Sequence, residues 1–338
     1  MPEFAHGLVI GKFYPLHAGH SELIRTALSR CASVTVEVLG ATVESIPLDV
    51  RAEWLRQEHP TARVVQAMDD AEVDYESAAA WDAHMAVIGP LLDRPVDAVF
   101  AAEPYGAELA ARLGATWVPV DRSVTPVSGT AVRADVAAHW HWLPTSVRRS
   151  LVQRVVILGA ESTGSTTLAA ALAAERGTHW VREYGRDYTD ERGGPTEPWR
   201  SDEFTLVAER QVHLEREAAV RVPRPLLVCD TDVFATALWH ERYTGAHGEL
   251  LLAMAAAHRP LAYVLTGDEI PFVADGTRDG EHIRHDMQQR FRDELAAQPV
   301  QWIEVRGSVA ERLAATLQFI DPLLARALRF TDPLDAPR

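Results

Sequence analysis

Two stretches of the sequence hold residues whose types and spacing suit phosphate chemistry. The first is Gly11-Lys-Phe-Tyr-Pro-Leu-His-Ala-Gly-His20. It follows an apolar, strand-like run and opens a helical pattern. A helix N-terminus presents unpaired N–H groups and the positive end of a dipole, so it attracts phosphate. His17 and His20, three apart, share one face once helical. Gly19 lets a phosphate come close to the backbone. Lys12 adds a point charge on the strand side, with Gly11 and Phe13 around it. Two imidazoles and an ammonium at such a helix start can hold a triphosphate and stabilise charge building on it. Two histidines at this spacing would otherwise read as helix caps. Their setting, after a strand and beside Lys12 and Gly19, favours the phosphate role.

The second stretch is Gly159-Ala-Glu-Ser-Thr-Gly-Ser-Thr-Thr167, between the run VVIL and the helical TLAAALAAE. A P-loop reads G-x-x-x-x-G-K-[ST] in this setting, and its backbone N–H groups cradle phosphates. Gly159, Ser162, Thr163, Gly164, Ser165, Thr166 and Thr167 are therefore candidate nucleotide contacts, with the Thr166 hydroxyl where Mg2+ is expected. The departure is Ser165, which stands where the motif has lysine. Losing that charge can cost on the order of 10²–10³ in rate. Either an arginine such as Arg186, Arg278 or Arg284 supplies the charge, or the loop binds nucleotide without transferring phosphate.

The elements that must position these stretches alternate. Apolar runs at 7–10, 34–39, 64–65, 96–101 and 116–120 read as strands, with helical patterns at 18–31, 49–58, 77–93 and 105–113. A second series has strands at 155–160, 225–229, 262–266 and 301–305, and helices at 165–175, 202–220, 232–242, 283–296 and 308–320. Residues 191–198 read as a loop. Alternation of this kind implies parallel, doubly wound sheets, with ligands at the C-terminal strand ends. The expected fold class is α/β in two domains, 1–150 and 151–325, followed by a tail at 326–338. The boundary falls in the Trp-, Pro- and Arg-rich segment 141–153.

Composition narrows the function. Of 338 residues, 47% are hydrophobic and 24% charged, which is the globular range. No apolar run reaches the ~18 residues of a membrane span, and no signal peptide is visible. The two cysteines fall in different halves without a CxxC or Cys/His cluster, so neither a disulfide framework nor a zinc site is expected. These features point to a cytoplasmic protein with no membrane partner. A net charge of −15 argues against non-specific nucleic-acid binding, so anionic ligands need local cations. Lys12 is the only lysine against 32 arginines, a bias in which a retained lysine hints at a need for a compact charge.

The string around His17 and His20 resembles the HxGH signature of the nucleotidyltransferase superfamily. That superfamily carries a second motif close to [IV]S-x-T-x-x-R late in the same domain, and this sequence has Val127-Ser-Gly-Thr-Ala-Val-Arg133 there. Ser128 and Thr130 suit a helix start, and Arg133, one turn in, suits outer phosphates. The resemblance implies that Lys12, His17, His20, Ser128, Thr130 and Arg133 hold ATP phosphates, with Mg2+ assisting. A substrate phosphate would then attack the α-phosphorus and release pyrophosphate.

Further segments resemble the NadR-type nicotinamide-nucleotide adenylyltransferases with a linked ribosylnicotinamide kinase domain, over roughly residues 7–320. They are Ile46-Pro-Leu-Asp-Val-Arg-Ala-Glu-Trp-Leu55, Glu103-Pro-Tyr-Gly106, Asp121-Arg122, Val181-Arg-Glu-Tyr-Gly-Arg-Asp-Tyr188, Leu227-Val-Cys-Asp-Thr-Asp232 and Asp268-Glu-Ile-Pro-Phe-Val-Ala-Asp-Gly-Thr-Arg278. The resemblance implies a Rossmann-like nucleotidyltransferase fold followed by a P-loop NTPase fold, ATP and Mg2+ as cosubstrate and cofactor, and NAD salvage as the role. It places the mononucleotide phosphate at Arg51, or else Arg51 is an exposed helix charge. Trp54 stacks on nicotinamide or faces the core. Asp230 is a general base or metal-linked carboxylate, or else a helix N-cap. Tyr184 and Asp275 are candidates for nicotinamide riboside, and Arg278 and Arg284 for the transferring phosphate. The expected partners are ATP, nicotinamide mononucleotide and nicotinamide riboside, with a homo-oligomer allowed. With the first motif opening at Gly11, no DNA-binding helix-turn-helix is expected ahead of it. The alternatives are an adenylyltransferase with a degenerate, regulatory P-loop domain, and a nucleotidyltransferase for another substrate such as phosphopantetheine.

Overall fold

The structure is a computed structural model. It describes residues 1–121, 123, 125–194, 197–273 and 281–334. Asp275, Arg278 and Arg122, singled out in the sequence, lie outside the described residues. The chain divides into two compact units, Met1–Ser150 with Arg329–Arg338, and Leu151–Leu328.

In the first unit β1 (Phe4–Gly11), α1 (Ala18–Arg30), β2 (Cys31–Gly40), α2 (Leu48–Glu58), β3 (Arg63–Met68), α3 (Ala78–Ile88), β4 (Ala98–Ala101), α4 (Tyr105–Leu113) and β5 (Thr116–Pro119) alternate. Two short helices, α5 (Gly129–Ala134) and α6 (Thr145–Leu151), follow. The five strands are parallel in the order β3-β2-β1-β4-β5. β1 and β4 lie inside that sheet, and Leu8, Val9, Val99 and Phe100 are buried. This is why they read as unbroken apolar runs rather than as alternation. Leu8, Trp81, Ile88, Val99 and Leu109 form one core cluster from β1, α3, β4 and α4. The helix expected over 77–93 stops at Ile88, where Gly89-Pro-Leu91 makes a single 3-10 turn.

The second unit contains β6 (Gln153–Leu158), α7 (Ser165–Arg176), β7 (Trp180–Val181), α8 (Tyr184–Glu191), α9 (Ser201–Ala219) and β8 (Leu226–Asp230). It continues through α10 (Val233–Thr244), α11 (Glu249–Ala257), β9 (Ala262–Thr266), α12 (Arg284–Ala296), β10 (Gln301–Val305) and α13 (Val309–Ala327). Its sheet is also parallel, in the order β10-β9-β6-β8-β7. Val155, Ile157, Leu168, Leu172, Val228, Val264 and Ile320 close its core from β6, α7, β8, β9 and α13. Helices α8 and α11 were not expected. The first is polar and opens on Tyr-Gly, a weak start, and the second is apolar all round and shows no 3.6-residue stripe. α13 runs through Pro322 to Ala327 rather than stopping near 320. Among the described residues no helix is long and apolar enough to cross a membrane.

The end of the chain returns to the first unit. Thr331 Oγ1 lies 2.9 Å from the Tyr14 hydroxyl and donates to Val43 O at 2.7 Å, and Thr331 N donates to Ser45 Oγ at 3.2 Å. The Phe330 ring meets Tyr14 edge-on at 6.3 Å. The segment beyond α13 is thus attached to the loop between β2 and α2.

Glu37, in the middle of β2, is fully buried, and neither carboxylate oxygen has a hydrogen-bond partner. Burial pushes its pKa up to about 8, opposed only in part by Arg63. A carboxyl whose folded pKa lies above its unfolded value binds more protons in the folded chain. Its contribution is complete below the ordinary Glu range and is lost as pH rises toward about 8. Replacing it by Met, of similar length and without charge, is expected to raise Tm at pH 8 by a few °C (roughly 2–4 °C per kcal/mol at this size). The gain should shrink toward pH 5. Parallel thermal melts check this, and a gain equal at both pH values would mean that ionisation of Glu37 is not the cause.

Candidate active sites

The first site forms where β1 ends and α1 begins. His17 is the N-cap residue of α1, with extended backbone (φ −141°, ψ 171°), yet its side chain makes no cap bond. The helix-cap reading of this histidine therefore fails. The His17 and His20 rings stack, with centroids 3.7 Å apart and planes 24° apart. The Phe13 ring meets His20 edge-on at 5.0 Å. Phe13 adopts φ +46°, which turns the chain sharply after Lys12. The two histidines line a small pocket with Gly19, Ala102, Asp121 and Val127. It lies beyond β1 and β4, where the strand order reverses, the expected ligand position in such sheets.

The second motif reaches the same place. Ser128 caps α5, its Oγ accepting from Ala131 N at 3.1 Å. Arg133 donates through Nη1 to Tyr14 O at 2.7 Å and through Nη2 to Thr130 Oγ1 at 3.3 Å. A Cβ on Gly19 would meet Val127 O at 3.5 Å, and one on Gly129 would meet Tyr14 O at 3.2 Å. The two strings, far apart in sequence, thus lie side by side, joined by the Arg133 side chain.

Lys12 and Arg51 share one carboxylate. Glu44 Oε1 lies 3.7 Å from Lys12 Nζ, and Glu44 Oε2 lies 2.7 Å from Arg51 Nη1. Arg51 also donates to Lys12 O at 2.8 Å, and its guanidinium sits 5.4 Å from the Tyr14 ring. Gly40 permits this packing, since a Cβ there would be 2.7 Å from Arg51 Nη2. Arg51 is 1% exposed, so the exposed-charge reading fails. In this conformation a ligand phosphate would have to displace Glu44. Trp54 is a correction: it is buried, borders a different, shallow cavity with Asp49 and Arg149, and does not line the His17–His20 pocket.

The second site surrounds residues 159–167. Gly164 (φ +86°) and Ser162 (φ +59°) take left-handed backbone, which curls the loop into a nest ahead of α7. Gly159 admits no side chain: a Cβ would lie 2.5 Å from Thr163 Oγ1 and 2.6 Å from Thr266 Oγ1. Thr163 turns inward, donating to Ala160 O at 2.8 Å, so only its backbone is offered to a ligand. Thr166 donates to Asp230 Oδ2 at 2.6 Å. Burial raises the Asp230 pKa, opposed by hydrogen bonds from Thr166 and Ser165 and by the charges of Arg186 and Arg182. Asp230 is not a helix cap. Asp232 is, its Oδ1 accepting from Ala235 N at 3.1 Å, while its Oδ2 accepts from the Tyr263 hydroxyl at 2.9 Å. A hydroxyl against a carboxylate at the mouth of a nest fits Mg2+ held jointly with phosphate oxygens. Among the described residues no group of three or more His, Cys, Asp or Glu could hold a metal by itself.

The P-loop, Asp230 and Arg186 line one open cleft together with an aromatic group: Trp199, Phe204, Trp239 and Tyr243. The Trp199 ring lies 4.8 Å from Phe204 and 5.7 Å from Tyr243. Sequence reasoning missed this group: Trp239 lies on the expected helix 232–242 but Tyr243 falls just past its end, although on the helix as it forms the two stand four apart and share a face. Two further expectations are corrected. The Tyr184 hydroxyl donates to Glu191 at 3.1 Å, and Tyr184 does not line the cleft. Arg284 donates to the carbonyls of Ser162 and Ile270, at 2.9 and 2.8 Å, rather than facing a phosphate.

The crowding at Gly159 makes a direct prediction. Gly159→Ala should force Thr163 or Thr266 to move and cost about 1–3 kcal/mol, the usual range for overpacking. Chemical unfolding should show a lower midpoint. An unchanged midpoint would mean that the loop has room that these distances deny.

Comparison with known proteins finds relatives that cover both units. Residues 154–312 match a family described as an AAA domain. The trifunctional NAD biosynthesis/regulator protein NadR of Escherichia coli (strain K12) is 27% identical, over 88% of this chain and 78% of that protein. Its namesake in Salmonella typhimurium (strain LT2) is 28% identical, over 80% of this chain and 71% of that one. A solved NadR protein in complex with NR superposes with a TM-score of 0.73 at 20% identity, covering 96% of this chain and 97% of that one. A NadR protein in complex with NAD and AMP-PNP gives 0.68 at 20% identity, covering 96% and 98%. By sequence over most of its length the chain is similar to the NadR proteins, and it shares the fold of the solved ones over nearly all of it.

Proposed function

We propose that this protein is an enzyme of NAD salvage whose first unit joins nicotinamide mononucleotide to ATP and whose second phosphorylates nicotinamide riboside. Its likeness to the NadR proteins supports the broader role in NAD biosynthesis. The observation that carries the adenylyltransferase reading is the meeting of the two strings around the stacked His17–His20 pair. ATP phosphates would lie at the start of α1, against His17, His20 and the backbone at Gly19. Lys12 and Arg133 supply positive charge beside them. The mononucleotide phosphate attacks the α-phosphorus, the bond to the bridging oxygen breaks, and pyrophosphate leaves. The protein's part is to position the two phosphates and to neutralise the charge that accumulates on the leaving group.

For the second unit, the aromatic side chains that line the cleft with the P-loop support a flat, aromatic acceptor. The solved relative in complex with NR agrees with that chemistry. Asp230, hydrogen-bonded to Thr166 beside the nucleotide loop, would accept the acceptor hydroxyl's proton. Ser165 favours a second reading, in which this unit binds nucleotide without transferring phosphate.

The two halves have separable products. Chain given ATP, Mg2+ and nicotinamide mononucleotide should form NAD and pyrophosphate, and given nicotinamide riboside should form ADP. His20→Ala should lower NAD formation on the order of 10²–10³-fold and leave ADP formation intact. No NAD from folded chain would sink the adenylyltransferase reading, and no ADP would favour the second reading of the P-loop unit.

Lys12→Arg tests the lone lysine. A planar guanidinium cannot replace a compact ammonium beside Glu44 without moving the pair. It should cut kcat/KM for NAD formation about tenfold or more, on the order of one charge-assisted hydrogen bond. Near-normal kinetics would show that only the charge matters at position 12.

A further inference from the structure

The P-loop of the second unit has every part of its motif except the lysine. That lysine normally carries positive charge to the outer phosphates of the nucleotide. Two arginines near the loop hold its backbone. Arg284, 6% exposed, donates to the carbonyls of Ser162 and Ile270. Arg312, 4% exposed, donates to Thr163 O at 2.6 Å, to Gly267 O at 3.1 Å and to Glu269 Oε1 at 2.7 Å. Both grip the apex carbonyls of the loop, and neither lines the cleft. Arg182 stands 3.7 Å from Asp187 and does not line it either. Among the described residues Arg186, in the first turn of α8, is the arginine that lines the cleft, along with Ser165, Thr166 and Asp230. Its charge also acts on the Asp230 carboxyl.

We propose that Arg186 does the work of the missing P-loop lysine, its guanidinium taking the terminal phosphate of ATP, while Arg284 and Arg312 are positioning residues that hold the loop's backbone. The assignment rests on reading the second unit as a phosphoryl-transfer site. The acceptor hydroxyl oxygen bonds to the γ-phosphorus, and the bond from that phosphorus to the β–γ bridging oxygen breaks. ADP leaves and Asp230 receives the hydroxyl proton. Charge on the three terminal oxygens is what a planar fork matches, since it can donate to two of them at once. The lysine's tasks are thus divided: loop geometry to two buried arginines, charge to one that enters from α8.

The test uses the full chain carrying His17→Ala and His20→Ala, so that nucleotide binding at the first unit is weakened. ADP formation with nicotinamide riboside and the ratio of ATP to ADP affinity by calorimetry are read for this parent and its variants. Arg186→Ala should lower ADP formation on the order of 10²–10³-fold, with the KM for the riboside within about threefold. It should also narrow the preference for ATP over ADP about tenfold, as expected for one lost charge-assisted contact. Adding Ser165→Lys to Arg186→Ala should recover at least about tenfold of the rate, because the charge returns from the loop. Parent-like rate and ATP preference in Arg186→Ala would overturn the assignment. So would a loss that appears in Arg278→Ala instead. If the parent forms no ADP with the riboside but Arg186→Ala still collapses the preference for ATP, the acceptor is wrong and Arg186 stands. If that preference is unchanged, Arg186 falls whatever the acceptor.

Discussion

A parallel sheet makes every strand end on the same side, so the residues that leave its central strands are gathered without further design. Both candidate sites depend on that constraint. In the first unit β1 lies at the centre of its sheet and delivers Gly11 to His20 to the edge where the order reverses. In the second, β6 is central and delivers Gly159 to Thr167. In each case the strand stops, the backbone takes a left-handed step at Phe13 or at Ser162 and Gly164, and a helix begins. The turn aims the first N–H groups of that helix outward, and phosphate recognition follows from their geometry.

What differs is how each unit places positive charge in a strongly acidic chain. The first sets Lys12 and Arg51 about one buried carboxylate, Glu44, and stacks guanidinium groups from Arg51 and Arg133 near the Tyr14 ring at 5.4 and 5.3 Å. The second commits Arg284 and Arg312 to backbone carbonyls of the nucleotide loop. Buried guanidinium groups need several acceptors at once, and the loop's carbonyls meet that need while gaining rigidity. The same residue type therefore serves as scaffold at two positions, and the sequence marks no difference between them.

This bears on what could be read without coordinates. The two phosphate strings were legible because each is contiguous and its function lies in local backbone. The parallel α/β architecture was legible because buried strands are short apolar runs between amphipathic helices. The partners of the key cations were not. Glu44 is an unremarkable acidic residue in a loop until β2 and α2 bring it against Lys12 and Arg51. Arg284 reads in the sequence as a candidate for the transferring phosphate, and its direction is set by Ser162 and Ile270. Trp54, Tyr184 and the group of Trp199, Phe204, Trp239 and Tyr243 show the same limit. Aromatic type is visible in a sequence, but the side it faces depends on helix rotation and on distant packing. Asp230 and Asp232 make the sharpest contrast, two residues apart, one at the nucleotide loop and the other capping α10.

The return of the chain end to the first unit has a thermodynamic consequence. Thr331 reaches Ser45 and Val43, one residue either side of Glu44. Because residues 151–328 lie between the first unit's two segments in the chain, the second unit is an insertion in the first, and its folded body acts as a tether of fixed span. If that body melts, the tether becomes a flexible coil of well over a hundred residues, and closing so long a loop carries an entropic cost. The effective concentration of Thr331 at Ser45 falls accordingly. The loop that holds Glu44 beside Lys12 and Arg51 would then lose part of its latch without any residue of the first unit having changed.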